Sequence, residues 1–295
     1  MPPDRKMSER HQYAGASNLQ VYNKPDVASH YAVLNYLTPC EQFLFDLYIK
    51  PGAAILDLGV GGGRTTPYLS RSASRYVGVD YASEMIRACR KKHPNLEFIE
   101  AEASDLSSIQ SSSFDAVVIA FNGIDYVIPD EKRALCCVEC HRVLKPGGVL
   151  LFSSHNPRSI LVRPTWNRKR VSTTAHAFTG GSSFLEKPAV LALSVAARTR
   201  ALLRAGWGSV KRAIVRIPSR AFWRGEGYLL DSAHGGLTTH CWVPTRAVAE
   251  LEKHQFQIER VLGDDYPHAS RQYTTDWYYY VFFKSSAAGD VETCA

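Results

Sequence analysis

The run from Ala53 to Asp80 constrains this chain more than any other. Ala54-Ile55-Leu56-Asp57-Leu58 is a short apolar run of buried-strand length. It feeds a glycine turn, Gly59-Val60-Gly61-Gly62-Gly63-Arg64, then a helix reaching about Ser70, then a second strand, Arg75 to Val79, closed by Asp80. Glycines at such a turn let the main chain bend sharply and let a ligand approach it with no Cβ in the way. The nicotinamide fingerprint needs a small residue where Arg64 stands. A phosphate-cradling loop needs a Gly-Lys-Ser/Thr ending, which is absent. An acid beside the turn, Asp57, suits a ligand that carries an ammonium and a sulfonium better than one that carries pyrophosphate.

Asp80 ends the second strand, where its carboxylate can accept both hydroxyls of a ribose; the alternative is an acid at a helix N-terminus. Tyr81 follows it, and Met85 can line an adenine or fill the core. Further strands are predicted at Leu96–Ile99, Phe114–Ala120, Val149–Ser153, Phe256–Leu262 and Trp277–Phe283. Helices are predicted at Ser83–Lys92, Asp130–Val143 and Pro244–His254. The alternation argues for a parallel sheet covered on both faces. Ahead of it, Asp26 caps one amphipathic helix through Tyr36 and Pro39 opens another through Ile49. The expected organisation is a leader and helical cap over 1–50, a ligand-binding core over 51–156, an insertion over 157–235, the rest of the core sheet over 236–284, and a frayed tail over 285–295.

Ile55–Leu69, Val79-Asp80, Phe114-Asp115 and Arg142-Val143-Leu144-Lys145-Pro146-Gly147-Gly148 occur in order at family spacing. On these landmarks the chain resembles the class I S-adenosylmethionine (SAM)-dependent methyltransferases, of the UbiE/small-molecule type. The resemblance implies a Rossmann-like α/β sheet of seven strands with the last antiparallel, here joined to an N-terminal helical cap and an inserted helical lid. It implies SAM as cofactor and S-adenosylhomocysteine as product. Asp57 with Gly59, Gly61 and Gly63 would hold the methionine end, and Asp80 the ribose. Glu102-Ala103 would meet the adenine; the family has Asp where this chain has Glu102. Ala120 to Tyr126, including Phe121, Asn122 and Tyr126, ends the fourth strand, where the family places methyl transfer. Tyr22 and Tyr31 close over the cofactor or pack in the core.

Methyl transfer to a hydroxyl or an ammonium needs a base. His155, at the end of the fifth strand, and His240, beside the Gly235-Gly236 turn, are the candidates, with His234 behind them; Tyr126 is a further one. The expected reaction is methylation of a small molecule, with O-methylation of a natural product or sugar ahead of N-methylation of an amine. The remaining reading is a SAM-binding regulatory protein without catalysis. Cys136, Cys137 and Cys140 share a predicted amphipathic helix with no second Cys/His pair, so they read as buried thiols and no metal site is expected.

The net charge of +7 is unevenly placed. Arg158 to Arg224 holds fourteen Lys/Arg and one acid, Glu186, so the rest of the chain is acidic. The same segment carries apolar runs, and Gly206 and Gly208 are expected to split it into two helices. Such a segment lids an anionic ligand, lies on an anionic membrane, or is a solvated lid paired with the acidic body. Specific nucleic-acid binding is disfavoured because no stacking aromatics punctuate the arginines. Nothing reads as a membrane span or a secretory signal, and the scattered cysteines suggest a reducing, cytoplasmic setting, with peripheral contact at the inner membrane surface open.

Overall fold

A computed structural model describes residues 17–165, 172–174, 176, 183–231 and 236–285. Most of the expected leader, the tail beyond 285, and His234 with Gly235 lie outside the described residues. Residues 17–22 are helical (α1). α2 (Pro25–Ala32) and α3 (Pro39–Tyr48) complete the cap. Asp26 falls in the first turn of α2 rather than at its cap, since Pro25 already opens the helix. α3 starts with a capping box: Thr38 Oγ1 accepts from the Glu41 N–H, and the Glu41 carboxylate accepts from the Thr38 N–H at 2.8 Å.

The core follows as β1 (Ala54–Leu58), the short α4 (Thr66–Leu69), β2 (Arg75–Asp80), α5 (Ser83–Lys92), β3 (Glu97–Glu100), β4 (Phe114–Ile119), α6 (Asp130–Val143) and β5 (Leu144–His155). After the insertion come α9 (Pro244–Lys253), β8 (Phe256–Gly263) and β9 (Trp277–Lys284). The sheet order is β3-β2-β1-β4-β5-β9-β8. β1 to β5 pair in parallel, and β9 enters antiparallel between β5 and β8. This is the seven-stranded Rossmann-like arrangement with an antiparallel last strand.

Alternation along the buried strands sorts the core onto two faces. Leu56, Leu58, Val117, Ile119 and Phe152 pack with Cys136, Cys140 and Leu251 on one face. Ile55, Val118, Leu151 and Val281 pack with Leu44 and Ile86 on the other. The landmark acid Asp115 works as a clamp at the foot of β4: its carboxylate accepts from the Ala54 N–H at 2.8 Å and from Lys145 Nζ at 2.8 and 2.9 Å.

The insertion differs from expectation in two respects. Ser183–Arg216 forms one helix, α7, of 34 residues, with Gly206 and Gly208 inside it. Gly208 lies against Val162, where the lack of a side chain permits close approach. The short α8 (Arg220–Arg224) leads into β6 (Glu226–Asp231), which pairs antiparallel with β7 (Leu237–Trp242) as a separate two-stranded sheet. The expected boundary at 235/236 therefore falls inside a hairpin, and Leu237–Trp242 is not part of the core sheet.

Candidate active site

β1 runs straight into the glycine turn. Gly59, Gly61 and Gly63 have φ of 74°, 54° and 78°, a region that L side chains rarely enter. The turn is stitched to β2, because the Gly59 and Val60 N–H groups both donate to the Val79 carbonyl at 2.7 and 2.9 Å. Gly62, which the sequence reading passed over, has ordinary φ but no room: a Cβ there would sit 2.4 Å from Tyr31 C and Ala32 N. The C-terminal end of α2 thus rests directly on the turn. Arg64 reinforces the contact by donating to both Glu41 oxygens, at 2.6 and 2.8 Å, and to the Tyr36 carbonyl.

A cavity of about 400 Å³ opens where the turn, the ends of β2 and β4, and the cap converge. Among the expected cofactor residues, Tyr22, Tyr31, Gly59, Gly61, Asp80, Tyr81, Met85, Glu102, Ala103 and Phe121 line it. Asp57, Gly63 and Asn122 do not. Asp57 lies one layer deeper, fully buried, and its Oδ2 accepts from Thr65 Oγ1 and Tyr76 Oη at 2.7 and 2.8 Å. It holds the turn and the following helix rather than facing the cavity.

Asp80 is set by the backbone around it. Oδ2 accepts from the Gly61 N–H and Oδ1 from the Ala82 N–H, both at 2.9 Å. Burial pushes its carboxyl up to about 6 against the pull of those N–H donors. Burial does the same to Asp57, also to about 6. Glu102 stands on the cavity wall with its carboxylate engaged by Lys132. Tyr22 meets Tyr31, Tyr81 and Tyr126 edge-on or tilted, at centroid separations of 6.0, 6.3 and 5.8 Å. Burial raises the Tyr22 and Tyr81 phenols well above their ordinary range, so both stay protonated.

Residues 55–148 match the family described as methyltransferase domain. This stretch is a class I SAM-dependent methyltransferase domain. The fatty-acid O-methyltransferase of Mycolicibacterium smegmatis is 34% identical over 121 residues, which cover 40% of this chain and 42% of that protein. A ubiquinone biosynthesis O-methyltransferase of Albidiferax ferrireducens is 29% identical over 145 residues, covering 46% of this chain and 56% of that one. The chain thus spans about half the length of these curated relatives. A SAM-dependent methyltransferase structure from Methanosarcina mazei superposes with a TM-score of 0.55 at 19% identity, covering 86% of this chain and all of that one. One from Listeria monocytogenes gives 0.52 at 15% identity, covering 83% and 97%. At such identities the likeness is one of fold.

The cavity fits the family's cofactor. The Tyr81 phenol oxygen is buried in the wall without a hydrogen-bond partner, Asp80 offers the acceptor a ribose needs, and the glycine turn lets a ligand lie on the main chain.

At the end of β4 the backbone is strained. Phe121 and Asn122 have φ of 54° and 61°, two successive side chains in the left-handed region. The Asn122 N–H donates to Ser153 Oγ at 2.8 Å. This turns the chain into a 3₁₀ segment, Gly123–Tyr126, and delivers Asp125, an acid the sequence reading did not single out. Asp125 is fully buried and accepts from Ser154 Oγ, from the His155 backbone N–H at 2.7 Å and from His155 Nδ1 at 2.7 Å. A carboxylate only accepts, so Nδ1 carries a proton, and in the neutral ring Nε2 holds the lone pair. Asn122 Nδ2 points at that lone pair from 3.1 Å, while Asn122 Oδ1 is buried without a partner.

His155 does not line the cavity, but Tyr126 does, and the two rings meet edge-on at 6.5 Å. His240 is elsewhere. It is buried in the hairpin between Tyr228 and Trp242, 3.8 Å from Glu226 Oε1 and outside the cavity wall. Burial lowers its pKa, so it is neutral. Cys136, Cys137 and Cys140 are buried along α6. No described residue of the insertion lines the cavity. No described helix is long and apolar enough to cross a membrane.

Proposed function

We propose that the whole chain is a SAM-dependent methyltransferase that methylates a hydroxyl of a small-molecule acceptor, with His155 as the base. The observation that carries this reading is the buried Asp125 held on His155 Nδ1. A hydroxyl is a poor nucleophile until its proton leaves, whereas a free amine needs no such device. The names of the relatives, fatty-acid and ubiquinone biosynthesis O-methyltransferases, support the same reading.

When bound, the cofactor supplies an electrophilic methyl on a sulfonium, and the protein's part is mostly placement. Asp80 would accept the ribose hydroxyls, Glu102 and the Ala103 main chain would hold the adenine, and Tyr22, Tyr31 and Tyr81 would exclude water. The acceptor enters beside Tyr126, and its hydroxyl donates to His155 Nε2 in place of the Asn122 amide. Nε2 would take the hydroxyl proton as the acceptor oxygen gains the methyl and the methyl–sulfur bond breaks, leaving the neutral thioether product. Asp125 keeps the ring in the Nδ1–H tautomer and stabilises the imidazolium. Tyr126 shapes the wall between acceptor and cofactor.

A panel of hydroxylated and amine acceptors with labelled SAM tests the reading. Label transfer to hydroxyls, lost in His155→Ala with SAM affinity unchanged, is the expected result. Transfer to amines alone, undiminished in His155→Ala, overturns it. SAM binding with no turnover on any acceptor would leave the regulatory reading in its place.

A further inference from the structure

The 34-residue helix α7 presents two unlike faces. Its inward face is small and polar. Ala201 and Ala205 are buried, Ser209 Oγ accepts from the Val162 N–H, and Arg212 pairs with Asp276. Arg216 donates to the Asn156 and Ser159 carbonyls at 2.9 and 2.6 Å. These contacts fix the helix to the ends of the core sheet, and two arginines of the basic insertion are used up in doing so.

The outward face is apolar. Leu203, Trp207, Val210 and Ile214 follow one another at helical spacing and are 69%, 65%, 49% and 68% exposed. Beside them, at the same spacing, run Arg200, Arg204 and Lys211, all exposed. Lys211 Nζ sits 5.6 Å from the centre of the Trp207 ring. Trp223, in α8, is 68% exposed and ties its indole N–H back to the Ile217 carbonyl at 2.7 Å. A solvated helix does not need an apolar stripe, and a nucleic-acid surface does not need leucine and isoleucine. An apolar stripe flanked by cations and edged with tryptophan is the pattern of a helix lying in the plane of an anionic bilayer. Basic side chains then meet lipid phosphates while their alkyl stems lie along the apolar stripe.

We propose that the outward face of α7, with Trp223 at its edge, is a docking surface for anionic lipid membranes. Contact is in-plane and reversible, because the stripe is one helix face and not a span. Docking is independent of the methylation chemistry, since neither the stripe nor the flanking cations line the cavity.

Co-sedimentation of the full chain with vesicles tests this. One set contains phosphatidylglycerol in phosphatidylcholine, the other phosphatidylcholine alone. Binding to the anionic set only, weakened when salt rises from about 0.1 M to about 0.5 M, is expected. Two exposed-face variants, Trp207→Ser with Ile214→Ser and Arg200→Gln with Arg204→Gln and Lys211→Gln, should each weaken it by at least about tenfold. Both should keep wild-type SAM affinity, which shows that they fold. No binding of the wild-type chain to anionic vesicles overturns the proposal. So does equal binding to neutral vesicles, or unchanged binding by both variants. Sedimentation velocity closes the remaining route: a wild-type dimer that becomes monomeric in Trp207→Ser with Ile214→Ser would make this face a contact between copies and overturn membrane docking.

Discussion

The Arg64 guanidinium and the Glu41 carboxylate meet in a two-point ion pair, at 2.6 and 2.8 Å, nearly sealed from solvent. The same carboxylate closes the capping box of α3. One acid therefore starts a helix of the cap and binds that cap to the glycine turn. Glu41→Ala leaves a buried guanidinium unpaired and should lower stability by about 3–5 kcal/mol, read from denaturant midpoints. Arg64→Met with Glu41→Leu should recover much of that loss, since an apolar pair of similar volume avoids the stranded charge. A double variant no more stable than Glu41→Ala would show that the cap depends on the charges themselves.

Gly62→Ala tests the close approach of α2 to the turn. Its Cβ would fall 2.4 Å from main-chain atoms of Tyr31 and Ala32, which cannot swing aside as a side-chain tip can. The substitution should cost about 1–3 kcal/mol of stability. It should also weaken SAM binding, because Tyr31 moves with α2. Wild-type Tm and affinity in Gly62→Ala would mean that the cap is not seated as described.

Asp80 gives SAM affinity a pH dependence. Its carboxyl titrates near 6, above the ordinary aspartate range, because burial disfavours the charge. The cofactor is cationic at its sulfonium and offers hydroxyl donors, so it binds the ionised form. Above pH 6 affinity should be flat; below it, affinity should fall by up to about tenfold per pH unit as the proton competes. Asp80→Ala should weaken binding by about 1.5–3 kcal/mol at pH 8 and abolish the acid limb. Calorimetry across pH 5 to 8 measures both. An acid limb that persists in Asp80→Ala would assign it to another group, with Asp57 next in line.

His155→Ala should reduce turnover of a hydroxyl acceptor by about 10²–10⁴-fold with SAM affinity intact. Asp125→Asn should lower kcat as well and move the acid limb of its pH profile, because the amide no longer holds the Nδ1–H tautomer. A purely structural role for Asp125 would reduce the amount of folded enzyme and leave the profile of the remainder unmoved. His240→Ala, buried in the separate β6–β7 hairpin rather than against Tyr126, should leave kcat within a few-fold of wild type.

The sheet was legible because its central strands, such as β1 and β4, are buried on both faces and so read as near-unbroken apolar runs, and because the β1 turn and Asp80 lie close in sequence. The insertion was harder to read. Gly206 and Gly208 suggested a break, but a helix anchored by Arg212 and Arg216 tolerates both. The β6–β7 hairpin lacks an alternation strong enough to separate it from the sheet that follows. Glu41 had a local signal, the Thr38-x-x-Glu41 capping box, but its pairing with Arg64, like the roles of Gly62 and Asp125, depends on partners distant in sequence or on a left-handed turn. The Phe121-Asn122 pair is an unusual place for two such backbones, and it is what brings Asp125 under His155. For Asp125 one local signal was available, an acid within the stretch that ends β4.

The three cysteines on α6 have a further consequence. Cys136, Cys137 and Cys140 are buried against the sheet with Trp242 and Leu251 in the same cluster. Burial raises the Cys137 thiol, and the Cys136 hydrogen bond followed by burial raises that of Cys140, so neither is a thiolate at neutral pH. Alkylating reagents react with thiolates and need access. These positions are therefore silent in the intact fold and become reactive only when α6 lifts away. Their rate of modification is an internal clock for the opening of that side of the sheet, and slowing of the clock by added ligand would report how tightly occupancy of the cavity is linked to the integrity of a helix on the same face.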